Sequence, residues 1–205
     1  MKTQRGHAQL SIAAAILAGG RSSRYGGRPK ALEQVAPGLS ILAKELNELR
    51  AAGIGEVVVV TNQADAYCDC GAQTIADLRP DLGPLGGIET ALAYYAPSYD
   101  ATLFLPCDLP GITRREIRDL MDGFVRSAGQ VAVAMHIFLE PLCTVVHNSL
   151  RKTITQALDD GQRSPGKLWR QLGVIPVQFA HAAPFYNVNR PEDLAGWQGT
   201  QEEPS

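Results

Sequence analysis

The sequence has no apolar run long enough to cross a bilayer, and it contains few cysteines. A membrane-spanning helix needs about 20 consecutive apolar residues, and no stretch of the 205 residues reaches that length. The four cysteines do not suggest a disulfide framework in a chain of this size, and Cys68 and Cys70 lie too close together for a C-x-x-C motif. We therefore expect reduced thiols, a cytoplasmic location and no membrane partner.

The chain also lacks a strong excess of either charge. Its formal net charge is −2 and its pI is near 6.1, so it has no overall basic field that would attract nucleic acid. We expect a small-molecule partner and no nucleic acid. The composition, 45% hydrophobic and 20% charged, is ordinary for one globular domain. We predict a single domain over residues 1–205, with a core at about 12–197 and frayed ends at 1–8 and 199–205.

Short apolar runs alternate with helical patterns along the chain, as in parallel βαβ units. Strands are predicted at Ile12–Leu17, Val57–Val60 and residues 74–77, 101–105, 130–135 and 142–147. Helices are predicted over residues 40–53, 88–96, 113–126 and 149–161, after Ser164-Pro165, and near the C-terminus. The run "LSIAAAILAGG" could also pass for a signal peptide core, but we assign it to the first strand. The pattern predicts an α/β class, a three-layer Rossmann-like fold with a mostly parallel sheet.

The first 32 residues contain no aspartate or glutamate, and within them lies the glycine-rich and basic segment "ILAGGRSSRYGGRPK". Glycines let backbone N–H groups approach an anion, while arginine and lysine supply positive charge. The segment is not a Walker A motif, because Ala31 follows Lys30, and no G-x-G-x-x-G fits it. It still favours a polyphosphate-binding loop. The alternative is a solvated basic surface loop.

Polar residues follow several of the predicted strands, where ligands bind in open α/β sheets. These strand-end residues are Ala18, Gly19 and Gly20, then Thr61 and Asn62, then Asp77, then Cys107 and Asp108. We expect them to converge on one edge of the sheet. Asp108, between the prolines of "LPCDLP", is suited to hold Mg²⁺ beside a polyphosphate. A turn aspartate or a helix cap is the alternative.

The remaining candidate groups favour structural roles. Cys107 has no histidine beside it in the inferred layout, so we interpret it as a buried structural thiol. His136, His147 and His181 do not have the spacing of zinc ligands.

With these motifs, the sequence resembles the molybdenum cofactor guanylyltransferases, the MobA family of α/β nucleotidyltransferases, from about Ile12 to Trp197. The resemblance rests on "LAGGRSSRYGGRPKAL", "TN", "IADLRPDLGPLGGI", "PCDLP", "GQRS" and "FYNVNRPEDLAGW". It implies a nucleotidyltransferase fold and transfer of GMP from GTP to molybdopterin, with release of pyrophosphate and Mg²⁺ as cofactor. It also implies cofactor-biosynthesis proteins or molybdoenzymes as acceptor partners.

The resemblance also implies roles for individual positions. Main-chain contacts to the nucleotide fall on Leu17, Ala18, Gly19 and Gly20, and phosphate contacts on Arg24 and Lys30. Nucleoside recognition falls on Asn62 and Asp77, the Mg²⁺ ligand on Asp108, and catalysis on Lys30, Arg24 and Asp108. Asn187 and Asn189 would lie near the reaction centre or the molybdopterin. Asn189 with Glu192 could instead form a helix cap.

Three positions depart from the family pattern. Pro29 stands where an aspartate usually precedes the loop lysine, Tyr25 where methionine is usual, and Glu140 where histidine is frequent before the proline at 141. A proline before the loop lysine is common in cytidylyltransferases and sugar nucleotidyltransferases, so Pro29 favours these two classes. The alternatives are therefore a CTP-dependent molybdopterin cytidylyltransferase, a sugar-phosphate nucleotidyltransferase, or a non-catalytic nucleotide-binding regulatory protein.

Overall fold

The structure, a computed structural model, describes residues 10–19, 29–127 and 129–201. Its strands are β1 (Ile12–Leu17), β2 (Gln34–Ala36), β3 (Leu39–Ser40), β4 (Val57–Val60), β5 (Gln73–Ile75), β6 (Ala101–Pro106), β7 (Val131–Met135), β8 (Leu139–His147) and β9 (Ile175–Gln178). Its α-helices are α1 (Ile41–Ala51), α2 (Pro84–Tyr95), α3 (Arg114–Ser127), α4 (Arg151–Asp159), α5 (Pro165–Leu172) and α6 (Pro191–Gln201). Short 3₁₀ helices lie at Lys30–Leu32, Ala64–Tyr67, Asn148–Leu150 and Ala183–Phe185.

A single seven-stranded sheet organises the described residues, in the order β5-β4-β1-β6-β8-β7-β9. Neighbours β5, β4, β1 and β6 are parallel, and β9 is parallel to β7. Strand β8 alone is reversed, since it pairs antiparallel with both β6 and β7. The predicted mostly parallel α/β sheet is therefore confirmed. The small β2–β3 hairpin forms a separate sheet.

Hydrophobic side chains on the two faces of the sheet form two cores, which give the fold its three layers. Alternate residues of β1 point to opposite faces: Ala14 and Ile16 pack in the core beneath α1 and α3, and Ala15 packs in the core beneath α2, α4 and α5. The largest fully buried side chain is Trp169 of α5. Its indole Nε1–H donates to the Pro141 carbonyl at 2.8 Å, which fixes β8 to the helix layer.

Local signals in the sequence explain where several helices begin. The Ser40 hydroxyl accepts from the Ala43 amide at 3.1 Å and caps α1. The Ser164 hydroxyl caps α5 in the same way, with Pro165 in its first turn, as predicted. The Glu116 carboxylate accepts from the Thr113 amide at 3.1 Å, which is one half of the predicted capping box.

Some predicted boundaries were wrong. Helix α2 begins at Pro84, four residues before the predicted start at Ile88, because the "GPLGG" segment that looked like a turn supplies a proline for the first helical turn. Strands β2, β3 and β9 were not predicted. The last helix continues to Gln201, into the 199–205 tail that we expected to be frayed, whereas residues 1–8 lie outside the described residues. None of the described helices is long and apolar enough to cross a membrane.

Candidate active site

The carboxyl ends of β1, β4, β5 and β6 meet at one edge of the sheet. Leu17 is in register with both Val60 and Pro106, and Val60 with Ile75. The residues that follow these strands are therefore neighbours, as the sequence predicted. They divide into two groups, one at the β1–β4–β5 side and one at the end of β6.

The first group lines a pocket of about 530 Å³. One wall is formed by Leu17, Ala18 and Gly19, and another by Asn62 and Asp77. A third wall lies at the start of α2 and is formed by Asp81, Gly83, Pro84 and Gly87. No side chain caps the N-terminus of α2, where Gly83 has φ 68° and ψ −163°. The positive end of this helix dipole thus borders a pocket of nucleotide size.

Asn62 and Asp77 are joined by two hydrogen bonds. The Asn62 Nδ2 donates to Asp77 Oδ2 at 2.8 Å, and the Asp77 amide donates to Asn62 Oδ1 at 2.9 Å. Burial raises the pKa of the Asp77 carboxyl, and the Asn62 hydrogen bond opposes the shift. The pair presents a fixed carboxylate to the pocket, where it can accept N–H or O–H donors of a nucleoside.

Close packing leaves no room for side chains where α2 approaches this pair. A Cβ on Gly87 would lie 3.1 Å from Leu17 Cδ2 and 3.7 Å from Asp77 Oδ1. The glycine therefore allows α2 to press against β1 and against the pocket carboxylate. This explains one position of the "GPLGG" segment that carried the family resemblance.

The second group centres on Asp108, directly after β6. Its Oδ2 accepts a hydrogen bond and ion pair from Lys30 Nζ, which also donates to Asn189 Oδ1 at 3.3 Å. Its Oδ1 is buried and has no hydrogen-bond partner among the described residues. A buried carboxylate oxygen without a partner is costly, and a hard divalent cation is the ligand that it fits. The residues present therefore suit Mg²⁺ at Asp108.

Pro29 does not prevent Lys30 from reaching the site. Pro29 has an extended backbone, with φ −65° and ψ 119°, and precedes the 3₁₀ turn that begins at Lys30. The lysine ammonium still contacts both Asp108 and Asn189. Gly20, which the resemblance implied as a main-chain contact to the nucleotide, and Arg24, implied as a phosphate contact, lie outside the described residues.

Glu45 is a buried acidic group that the sequence analysis missed. It lies on the apolar face of α1, fully buried, and its Oε1 accepts from the Leu109 amide at 3.0 Å. Burial raises the pKa of Glu45, and the charge of nearby Asp108 reinforces the shift. A glutamate among Leu42, Leu46 and Leu49 was the available signal, because it interrupts an otherwise apolar helix face.

Cys107 is buried, as predicted for a structural thiol. Burial raises the pKa of this thiol, and the carboxyls of Glu45 and Asp108 reinforce the shift. A nucleophilic cysteine needs the opposite change.

A second pocket, of about 500 Å³, lies between the β7–β8 turn and the segment before α6. Its lining includes His136, Ile137, Phe138, Glu140, Ala182, Phe185, Tyr186, Asn187, Asn189 and Asp193. Asn189 belongs to this pocket and also contacts Lys30, so the pocket adjoins the Lys30–Asp108 pair. The Val188 amide donates to the Asp108 carbonyl at 3.0 Å and holds the two segments together.

The helix-cap alternative for Asn189 and Glu192 is wrong. The carboxylate at this helix start is Asp193, whose Oδ2 accepts from the amides of Asn189 and Arg190, each at 2.8 Å. The Asn189 side chain is left to accept from Lys30. Asn187 donates to the Phe185 carbonyl at 3.2 Å and lines the second pocket.

The histidines do not gather into a metal site in the described part of the chain, where no cluster of three or more histidine, cysteine or acidic side chains could hold a metal. The Nδ1 of His147 lies 2.8 Å from the Ser149 hydroxyl, and His181 is exposed. His136 lines the second pocket.

A mostly parallel α/β sheet with a nucleotide-sized pocket and a lysine–aspartate pair at its carboxyl edge is the arrangement expected of a nucleotidyltransferase. Residues 14–174 match the MobA-like NTP transferase domain. The chain belongs to the MobA-like NTP transferase family, which confirms the resemblance seen in the sequence, and it is a nucleotidyltransferase.

Relatives with assigned names match nearly the whole chain. It is 32% identical to the molybdenum cofactor guanylyltransferase of Pseudomonas fluorescens, over 94% of this chain and 96% of the relative. It is 33% identical to the probable molybdenum cofactor guanylyltransferase of Deinococcus radiodurans, over 95% of this chain and 97% of the relative. The crystal structure of molybdopterin-guanine dinucleotide biosynthesis protein A from Archaeoglobus fulgidus has the same fold, with a TM-score of 0.77, 20% identity, and coverage of 92% of this chain and 98% of that one.

Proposed function

We propose that this protein transfers GMP from GTP to molybdopterin, forming molybdopterin guanine dinucleotide and releasing pyrophosphate. The observation that carries the proposal is the presence of two pockets at one sheet edge, with the Lys30–Asp108 pair at that edge adjoining the second pocket. A transferase of this kind needs a donor site, an acceptor site and a charged centre between them. The names of the relatives, molybdenum cofactor guanylyltransferases, support a guanylyl donor and a molybdenum-cofactor acceptor.

In this proposal the first pocket binds GTP. The backbone of Leu17, Ala18 and Gly19 contacts the nucleotide, and the Asn62–Asp77 pair recognises the nucleoside. The phosphates extend towards Lys30, with Arg24 and the amide of Gly20 completing the cradle. The uncapped N-terminus of α2 adds favourable potential for the anion.

The second pocket binds the acceptor, with Asn187 and Asn189 beside the reaction centre. The terminal phosphate of molybdopterin attacks the α-phosphorus of GTP. A new oxygen–phosphorus bond forms there, and the bond to the bridging oxygen of the pyrophosphate breaks. The attacking phosphate is already an anion, so no general base is needed, and catalysis consists of positioning and charge stabilisation.

Lys30 and Arg24 stabilise the charge that grows on the leaving pyrophosphate. Asp108 would hold Mg²⁺ through its carboxylate, and a bound Mg²⁺ ion supplies charge neutralisation on phosphate oxygens. The contact of Lys30 with Asn189 holds the ammonium beside the second pocket.

The experiment that tests the function is calorimetric titration of the purified protein with GTP, CTP, ATP and UTP, each with and without Mg²⁺. A pyrophosphate-release assay with molybdopterin follows with the preferred nucleotide. Preference for GTP and release of pyrophosphate would support the proposal. Preference for CTP would instead indicate a cytidylyltransferase, one of the alternatives that Pro29 favours. Nucleotide binding without turnover would indicate a regulatory protein.

A further inference from the structure

The second pocket contains an acidic side chain whose chemistry the proposed reaction does not use. Glu140 lies near the start of β8, half-buried, and its carboxylate accepts no hydrogen bond from any described residue. Three other polar side chains of this pocket already have partners: Asp193 accepts from two amides, Asn187 donates to the Phe185 carbonyl, and Asn189 accepts from Lys30. Glu140 therefore retains two acceptor oxygens for a ligand.

The backbone around Glu140 is held in place. The carbonyl of the next residue, Pro141, accepts the indole N–H of buried Trp169 at 2.8 Å. The register of β7 and β8 shifts between Val133 and Ala134, and Ala134 is the partner of Glu140. Such a bulge redirects the side chains beside it. A carboxylate on a fixed strand can discriminate between ligands more sharply than one on a free loop.

Two large apolar side chains at the β7–β8 turn border the same pocket. Ile137 is 72% exposed and Phe138 is 78% exposed. An exposed aromatic beside a pocket with convergent polar groups provides a surface on which a flat heteroaromatic ring can stack. The pocket thus combines a stacking surface with a free carboxylate.

The proposed acceptor contains a ring system that matches this combination. A pterin presents an N3–H and a 2-amino group side by side, two parallel donors that a carboxylate can accept in a bidentate manner. Resting on the function proposed above, we propose that Glu140 is a specificity-determining residue that binds this 2-amino-4-oxopyrimidine edge, with Phe138 covering the ring. Asn189 lies on the side of the pocket towards Lys30, where the acceptor phosphate must reach.

The test uses two fluorescent probes, 6-hydroxymethylpterin and its lumazine counterpart, in which a carbonyl oxygen replaces the 2-amino group. Binding to the full-length protein is followed by fluorescence change. We expect the wild-type protein to prefer the pterin about tenfold or more, since the lumazine sets an acceptor against the carboxylate. Glu140→Gln should remove most of this preference, because its amide can accept from only one of the two donors.

Two further variants separate recognition from general damage. Phe138→Ala alters a side chain that is mostly exposed, and should weaken both probes without changing their ratio. Glu56→Gln, at an exposed glutamate just before β4 and so at the opposite edge of the sheet, should change neither probe.

Equal affinity for pterin and lumazine in the wild-type protein would overturn the inference. So would a preference that survives in Glu140→Gln, or failure of both probes to bind while GTP binds normally. These results would leave the proposed guanylyl transfer in place. Loss of GTP binding or of pyrophosphate release in the wild-type protein would instead refute the proposed function itself.

Discussion

Removal of the Asp108 carboxylate should greatly lower turnover while changing the stability of the fold only slightly. In Asp108→Ala, the oxygen proposed to hold Mg²⁺ is lost, together with the anionic partner of Lys30. Loss of one charge-stabilising group at a reaction centre costs about 10²-fold or more in turnover. That factor corresponds to about 2.7 kcal/mol in the activation free energy.

The structural cost of the same substitution should be much smaller. The Lys30 side chain is 25% exposed, so its ammonium can turn to water when its partner is removed, and partly exposed ion pairs contribute only about 1 kcal/mol. The buried Asp108 Oδ1 has no partner to lose within the described part of the chain. The Asp108 carbonyl bond to the Val188 amide is retained, because it involves only the backbone.

The assay is pyrophosphate release over a range of Mg²⁺ concentrations, combined with thermal unfolding of the same samples. Asp122→Ala, an exposed aspartate on α3, is the matched control and should behave as the wild type. Asp108→Asn keeps the shape and removes the charge, and should lose nearly as much turnover as the alanine variant. Near wild-type turnover of Asp108→Ala at saturating Mg²⁺ would refute the assignment of Asp108.

Three other substitutions test neighbouring parts of the structure. Lys30→Ala should lower kcat/KM for GTP at least about tenfold, since it removes a positive charge from the phosphates; unchanged kinetics at unchanged melting temperature would count against this role. Burial raises the pKa of Glu45, so the folded protein holds this proton more tightly than the unfolded chain and loses stability as pH rises above about 4.3, where a free glutamate ionises. Glu45→Gln keeps an acceptor for the Leu109 amide but has no proton to lose. In metal-free chemical denaturation, its free energy of unfolding relative to the wild type should therefore increase from about pH 5 to about pH 8. Parallel pH dependences of the two free energies would contradict the buried-acid interpretation. Trp169→Phe removes the donor to the Pro141 carbonyl and should lower the free energy of unfolding by about 1–3 kcal/mol, measured by chemical denaturation; a loss below about 0.5 kcal/mol would mean that this contact contributes little.

The positions of the strand-end residues could be predicted from the sequence because they depend on a simple rule. Once the runs ending at Leu17 and Val60 are assigned to parallel strands, their following residues must share an edge. The register of β1 with β4 and β6 confirms this. The same rule predicts that Asn62 and Asp77 are neighbours, and two hydrogen bonds join them in the structure.

The parts that could not be predicted depend on long-range contacts or on conflicting local signals. Strand β9 contains Pro176, which argues against a strand, yet β9 lies at the edge of the sheet and pairs only with β7. The burial of Glu45 depends on the Leu109 amide, 64 positions away in sequence. The second pocket lies between the β7–β8 turn and the segment before α6. The sequence of neither segment contains a pattern that predicts contact with the other.

The reversal of β8 places the β7–β8 turn apart from most of the first pocket. Because β8 runs against its neighbours, the β7–β8 turn returns to the edge where the parallel strands end. The first pocket belongs mainly to the β5–β4–β1 side, and the second pocket to the β7–β8 turn and the segment before α6. A graft of residues 136–140 from a related enzyme would thus exchange side chains of the second pocket and leave the lining of the first pocket unchanged. If the proposed roles of the two pockets hold, exchange of this one hairpin would direct the same nucleotide donor to a different acceptor.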